Sequence, residues 1–201
     1  MDEFDIIERY FAPLAGEGAF GLKDEAAVIA ARPGFDLVVT TDAISEGTDF
    51  FAFDPADTIA QKALRVNLSD LAAKGAEPFA YLLNLSLPHS IAPDWLAAFA
   101  EGLGRDQREF GISLLGGDTG ATDGPLTIAV TAFGYVPQGK MIRRAGARVG
   151  DRGFHPWPRQ PLRAHDELAT GLGQLDRPQA AVPGRPAGGD EAVRLQRLHH
   201  A

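Results

Sequence analysis

Between residues 26 and 137 the apolar side chains change period repeatedly, from alternation at every second position to recurrence every three or four and back. A chain that does this must interleave strands with helices, because the two periods do not fit one element. AAVIA (26–30) and DLVVTT (36–41) read as short strands joined by a turn at Pro33–Gly34. Asp54–Pro55 offers a helix cap and a proline for the first helical position, and the helix it opens runs through QKALRVNLSDLAAK to Gly75. PFAYLLNLSL (78–87) fits a buried strand, and Pro93–Phe110 a second long helix closed by Gly111. ISLLGG (112–117) reads as a strand ending in a glycine turn, and LTIAVTAFGYV (126–136) as the last strand. An amphipathic helix carrying Phe4, Ile7, Tyr10 and Phe11 precedes them all. The expected order is α-β-β-α-β-α-β-β: an α/β (α+β) domain with a mixed sheet and helices on one face.

That pattern stops near residue 150. Residues 1–150 hold 12 Lys and Arg against 21 Asp and Glu, whereas residues 151–201 hold 7 against 6. The second stretch lacks Lys, Ile, Ser, Asn, Tyr and Met, yet has six of the 14 prolines and four of the five histidines. The expected organisation is a domain over 1–150 and an irregular tail over 151–201, disordered or translated out of frame.

Several chemistries are excluded by what is missing. With no cysteine, there is no thiol nucleophile, disulfide or Cys-ligated metal. A net charge of −8 argues against a broad cationic nucleic-acid surface. No apolar run is long enough to span a membrane, and the acidic start MDEFDIIERYF is unlike a signal peptide, so the expected location is cytoplasmic. GxxxxGK[ST], GxSxG and HExxH do not occur, and His89 is the sole histidine before residue 150.

The acidic residues near element ends are more informative. Asp24 and Glu25 precede the first strand, Asp42 ends the second, Asp70 lies in the helix, and Asp118 follows the paired glycines. Carboxylates so placed can converge on one crevice of an α/β sheet, and such a cluster suits Mg²⁺ shared with substrate phosphates. Each also has a plain explanation: Asp42 and Asp118 as turn formers, Asp70 as a solvated helix residue, Asp24 and Glu25 as an exposed pair. Asp70 fits its plain reading least, lying among Leu64, Val66, Leu68, Leu71 and Ala72.

Taken together, GLKDEAAVI, TTDAISEGTDFF, KALRVNLSDLAAKGAEP, LLGGDT and IRRAGARVGD resemble, in order and spacing, the thiamine-monophosphate kinases, relatives of aminoimidazole ribonucleotide synthetase. The resemblance covers about residues 1–151 and implies that superfamily's N-terminal-domain fold. It implies ATP-dependent, Mg²⁺-dependent in-line phosphorylation of thiamine monophosphate to thiamine diphosphate. It places metal ligands at Glu25, Thr41, Asp42, Asp70 and Asp118, with Asp24 as a possible further one. It also places ATP contacts at Gly117, Asp118 and Arg144, a substrate contact at Asp49, and a homodimer formed through the sheets. No residue is assigned as an acid or base, since phosphoryl transfer depends mainly on positioning and charge neutralisation.

Two departures qualify that expectation. Glu25 stands where the family usually has aspartate, adding a methylene to a ligand of a geometrically strict cation. The family's second domain, with its DxSDG-like motif, has no counterpart after Asp151. Activity of this chain is therefore expected to be impaired. The alternatives are an inactive dimerising, nucleotide-binding fragment, or an enzyme of the same superfamily acting on another small phosphate substrate.

Overall fold

The computed structural model describes residues 3–146; the expected tail, 151–201, lies outside the described residues. Four strands, β1 (Phe35–Ser45), β2 (Glu77–Pro88), β3 (Ser113–Thr122) and β4 (Thr127–Pro137), form one sheet in the order β1-β4-β2-β3. β4 is antiparallel to both β1 and β2, while β2 and β3 are parallel. It follows that β1 and β2 point the same way. Same-direction strands need crossovers, and the two long helices supply them. After a short α1 (Glu3–Ile6), α2 (Ala56–Ala73) joins β1 to β2, and α3 (Pro93–Phe110) joins β2 to β3.

Both helices lie on one face, as their periodicity requires. α2 buries Ile59, Ala60, Ala63, Leu64, Leu68 and Leu71. They meet inward-facing Val38 and Ile44 of β1, Leu83 of β2, and Ile128, Val130 and Ala132 of β4. α2 ends where Gly75 takes φ +70°, so that the Ala76 N–H reaches the Leu71 carbonyl at 3.0 Å. α3 ends the same way, at Gly111 with φ +65°.

Between the helices Asp106 is fully buried, yet it is not left bare. Its carboxylate accepts from Arg65 Nε and Nη2, both at 2.8 Å, and from Gln61 Nε2 at 2.9 Å. The Arg65 guanidinium is held above its ordinary pKa mainly by this hydrogen bond. Arg105 pairs with Asp57, and Gly102 lets α3 approach the Asp57 backbone, where a Cβ would collide.

Four local expectations differ from what forms. Residues 26–30 are not a strand. Their alternation is real, since Ala27 and Ile29 pack inward while Val28 is exposed. Alternation records which side chains face a core, whereas a strand also needs a neighbouring ladder. Pro55 is the cap of α2 rather than its first residue, because the Asp54 carboxylate is engaged by the Phe51 N–H at 2.9 Å. The glycines of LLGG do not turn the chain: β3 continues through them to Thr122. At the N-terminus, α1 passes into a π-helical turn at Ile7–Phe11 that buries Tyr10 and Phe11 but leaves Phe4 outside.

Candidate functional site

β3 passes Gly116 and Gly117 alongside Leu82 and Leu83 of β2. At Gly117 a Cβ would overlap the Leu83 carbonyl oxygen, so only glycine allows the two backbones this approach. The result is a stretch of β3 without side chains, followed at once by exposed Asp118, which pairs in register with Asn84. This stretch lines a groove of about 1020 Å³, whose other walls are the N-terminal segment and residues 21–29. Lys23, Asp24, Glu25 and Glu8 line the same groove. The Asp24 carboxylate accepts from the Glu25 N–H at 2.9 Å, bending the segment at the acidic pair. The groove therefore brings Asp24, Glu25, Gly117 and Asp118 together.

A second group of acids forms where β1 meets α2. Asp70 Oδ2 accepts from Thr40 Oγ1 at 3.1 Å. Asp42, two residues further along β1, points to the same helix-covered side as Thr40. Beyond the end of β1, Asp49 Oδ2 accepts from the Ser45 N–H at 2.8 Å, and the Asp49 carbonyl accepts from Lys62 Nζ. Asp49 is thereby held between β1 and the first half of α2. Thr41 lies on the opposite face, its hydroxyl donating to the Val130 carbonyl at 3.1 Å and accepting from Thr131 at 3.0 Å. Arg144 is exposed in a short 3₁₀ turn, Arg144–Gly146, after β4.

Among the described residues, no three His, Asp or Glu side chains stand close enough to enclose a metal ion. That donor arrangement does not make an all-protein cage. It does fit Mg²⁺, which typically takes one or two carboxylates and completes its octahedron with water and substrate phosphate. Asp70, bonded to Thr40, and Asp42 on the same face of β1 could supply one such partial set. Asp118 with Glu25 or Asp24 is available for another.

Asn67 was not among the residues singled out from the sequence. It is fully buried on α2, donating from its amide nitrogen to the Ala63 carbonyl at 3.1 Å. Its Oδ1 is enclosed and has no hydrogen-bond partner. The sequence held a signal for it: a carboxamide at the centre of an apolar stripe whose neighbours are Leu64, Leu68 and Leu71.

Residues 23–136 match the family described as AIR synthase related protein, N-terminal domain. A thiamine-monophosphate kinase of Caulobacter vibrioides is 49% identical over 152 residues, which are 75% of this chain and 43% of that protein. The solved thiamine-monophosphate kinase from Stenotrophomonas maltophilia K279a is 40% identical, with a TM-score of 0.61, over 72% of this chain and 45% of that one. A solved complex of AaThiL with AMPPCP and TMP is 26% identical, with a TM-score of 0.56, over 67% of this chain and 46% of that one. The chain thus spans less than half the length of these relatives. The match to residues 23–136 contains every strand but the last residue of β4, both long helices and the glycine-floored stretch of β3. This chain belongs to the AIR synthase related family and carries that family's N-terminal domain.

Proposed function

We propose that the chain is the phosphate- and cation-handling half of an enzyme that phosphorylates thiamine monophosphate with ATP. The observation that carries this reading is the bare Gly116–Gly117 backbone leading into Asp118, facing Asp24 and Glu25 across one groove. Backbone without side chains lets a polyphosphate lie close, and carboxylates on either side accept it only through divalent cations. The identity to named thiamine-monophosphate kinases, and a relative solved with AMPPCP and TMP, support the choice of substrates.

In this reading a phosphate oxygen of thiamine monophosphate attacks the γ-phosphorus of ATP in line. The bond to the bridging oxygen of the β-phosphate breaks, and ADP leaves. Bound Mg²⁺ would neutralise the phosphate charge as the bond is exchanged. Asp42 with Asp70 would hold it at one place and Asp118 with Glu25 or Asp24 at another, while the Thr41 hydroxyl, on the opposite face of β1 from Asp42, would lie outside the first of these sets. Gly117 gives the nucleotide phosphates a clear floor, Arg144 supplies positive charge for ATP, and Asp49 is positioned by Ser45 and Lys62 to meet the acceptor. A second copy of the chain would cover the open face of the sheet, where Leu37 and Val39 are exposed.

The test is ADP release by the full 201-residue chain with Mg-ATP, with and without thiamine monophosphate. Release that requires the acceptor, and is abolished by Asp70→Ala, supports the reading. Undiminished release by that variant would remove Asp70 from the site. A second reading is nucleotide binding by this domain without turnover. Calorimetric binding of Mg-AMPPCP with no ADP release would select it.

A further inference from the structure

α2 and β1 are aligned by two sets of contacts that fix their relative direction. Lys62, early in α2, holds the Asp49 carbonyl just past the end of β1, while Asp70, near the end of α2, bonds Thr40 inside the strand. The helix therefore runs antiparallel to the strand. Moving back from Asp70 to Asn67 covers about 4.5 Å of helix axis, and moving forward from Thr40 to Asp42 covers about 6.6 Å of strand. Both steps go in the same direction, so Asn67 lies at the level of Asp42. On the helical wheel Asn67 is about 60° from Asp70, turned from the exposed edge toward the sheet.

At that level sits the one buried side-chain polar atom without a partner among the described residues, Asn67 Oδ1. A buried carbonyl-type oxygen left bare loses its hydration with nothing in return, so its occupant is a matter of chemistry rather than of packing. Reversing the amide offers no relief, because it would set oxygen against the Ala63 carbonyl. The oxygen needs a donor, and a carboxylate has none to give. Water held by a cation does: it is polarised to donate and is fixed in place by the carboxylates that bind the cation.

We infer that Asn67 is a positioning residue whose Oδ1 accepts a hydrogen bond from a hydration water of a divalent cation held by Asp42 and Asp70. This rests on the reading of those two aspartates as cation ligands. Asn67 then orients the cation's water shell from inside the core, while the Thr40 hydroxyl orients Asp70 from the strand. Groups of this kind typically change metal affinity by about 10–100-fold when removed.

The experiment is a calorimetric titration of the full chain with Mg²⁺ alone, comparing the unmodified protein with Asn67→Leu and Asp70→Asn. The expected result is at least a tenfold weaker affinity in Asn67→Leu, with its metal-free melting temperature equal to or above that of the unmodified protein. A side chain needed only for packing would show the reverse: unchanged Mg²⁺ affinity and a lowered melting temperature. Loss of binding in Asp70→Asn with normal binding in Asn67→Leu overturns this inference and leaves the cation site standing. Normal binding in both overturns the site and the inference together. Should Asn67→Leu not fold, the side-chain carboxamide resonance of Asn67 in the unmodified chain decides the matter. It should shift on Mg²⁺ addition and reverse with chelator, and a resonance unmoved at saturating Mg²⁺ overturns the inference.

Discussion

The two faces of the sheet are built from the same four strands but are completed by different means. On the helix side, Tyr81, Ile128 and Val130 are fully enclosed beneath α2 and α3. On the open side, Leu37 and Val39 are about half exposed, and Phe79 stacks on Tyr135 at 4.5 Å with neither α2 nor α3 on that face. Thr41 and Thr131 lie on that face too, bonded to each other, with Thr41 also donating to the Val130 carbonyl. The contrast teaches that stability and assembly draw on different residues of the same strands. The helix face supplies the main core, while the other face is covered in part by residues 15–29, which bury Ala80 and Leu115, and leaves Leu37 and Val39 exposed.

Perturbing the two faces separately should show this in order of size. Phe99→Ala removes a fully buried ring stacked on Trp95 and should cost about 4 kcal/mol in urea unfolding. A loss below about 1 kcal/mol would mean that the helix layer is not the core. Asp106→Ala strands the Arg65 and Gln61 donors against α3 and should cost about 3 kcal/mol, read by thermal melting. Asp106→Leu should recover part of that, since it fills the space the carboxylate leaves. Gly117→Ala sets a methyl against the Leu83 carbonyl and should cost about 2 kcal/mol while weakening Mg-nucleotide binding in the groove. Val39→Ser, on the open face, should leave unfolding within about 0.5 kcal/mol and lower any self-association seen by sedimentation. Equal losses for Val39→Ser and Phe99→Ala would erase the distinction between the faces.

Much of the domain was legible because its elements follow side-chain period. α3 runs from Pro93 to Phe110, as its proline start and Gly111 stop require. β4 shows the alternation that LTIAVTAFGYV predicts, with Ile128, Val130, Ala132 and Val136 inward. AAVIA misled for the converse reason, since its alternation reports burial against Ala80 and Leu115 and not a ladder. LLGG misled because paired glycines serve two purposes. Here they admit a neighbouring backbone rather than reverse the chain. For the site, the acidic residues could be picked out one by one, but their grouping could not. Asp24, Glu25 and Asp118 share a groove, while Asp70 of α2 meets Thr40 on the face of β1 that also carries Asp42.

The linear order of residues was enough to set the class of the domain, the extent of α3 and the identity of its acidic candidates. These depend on neighbours within a few positions, where period, capping and turn chemistry act. The strand order β1-β4-β2-β3, the pairing of Thr40 with Asp70 and the enclosure of Asn67 Oδ1 are different in kind. Each joins residues that are distant in sequence, and it is set by which faces can be buried together once the chain has folded.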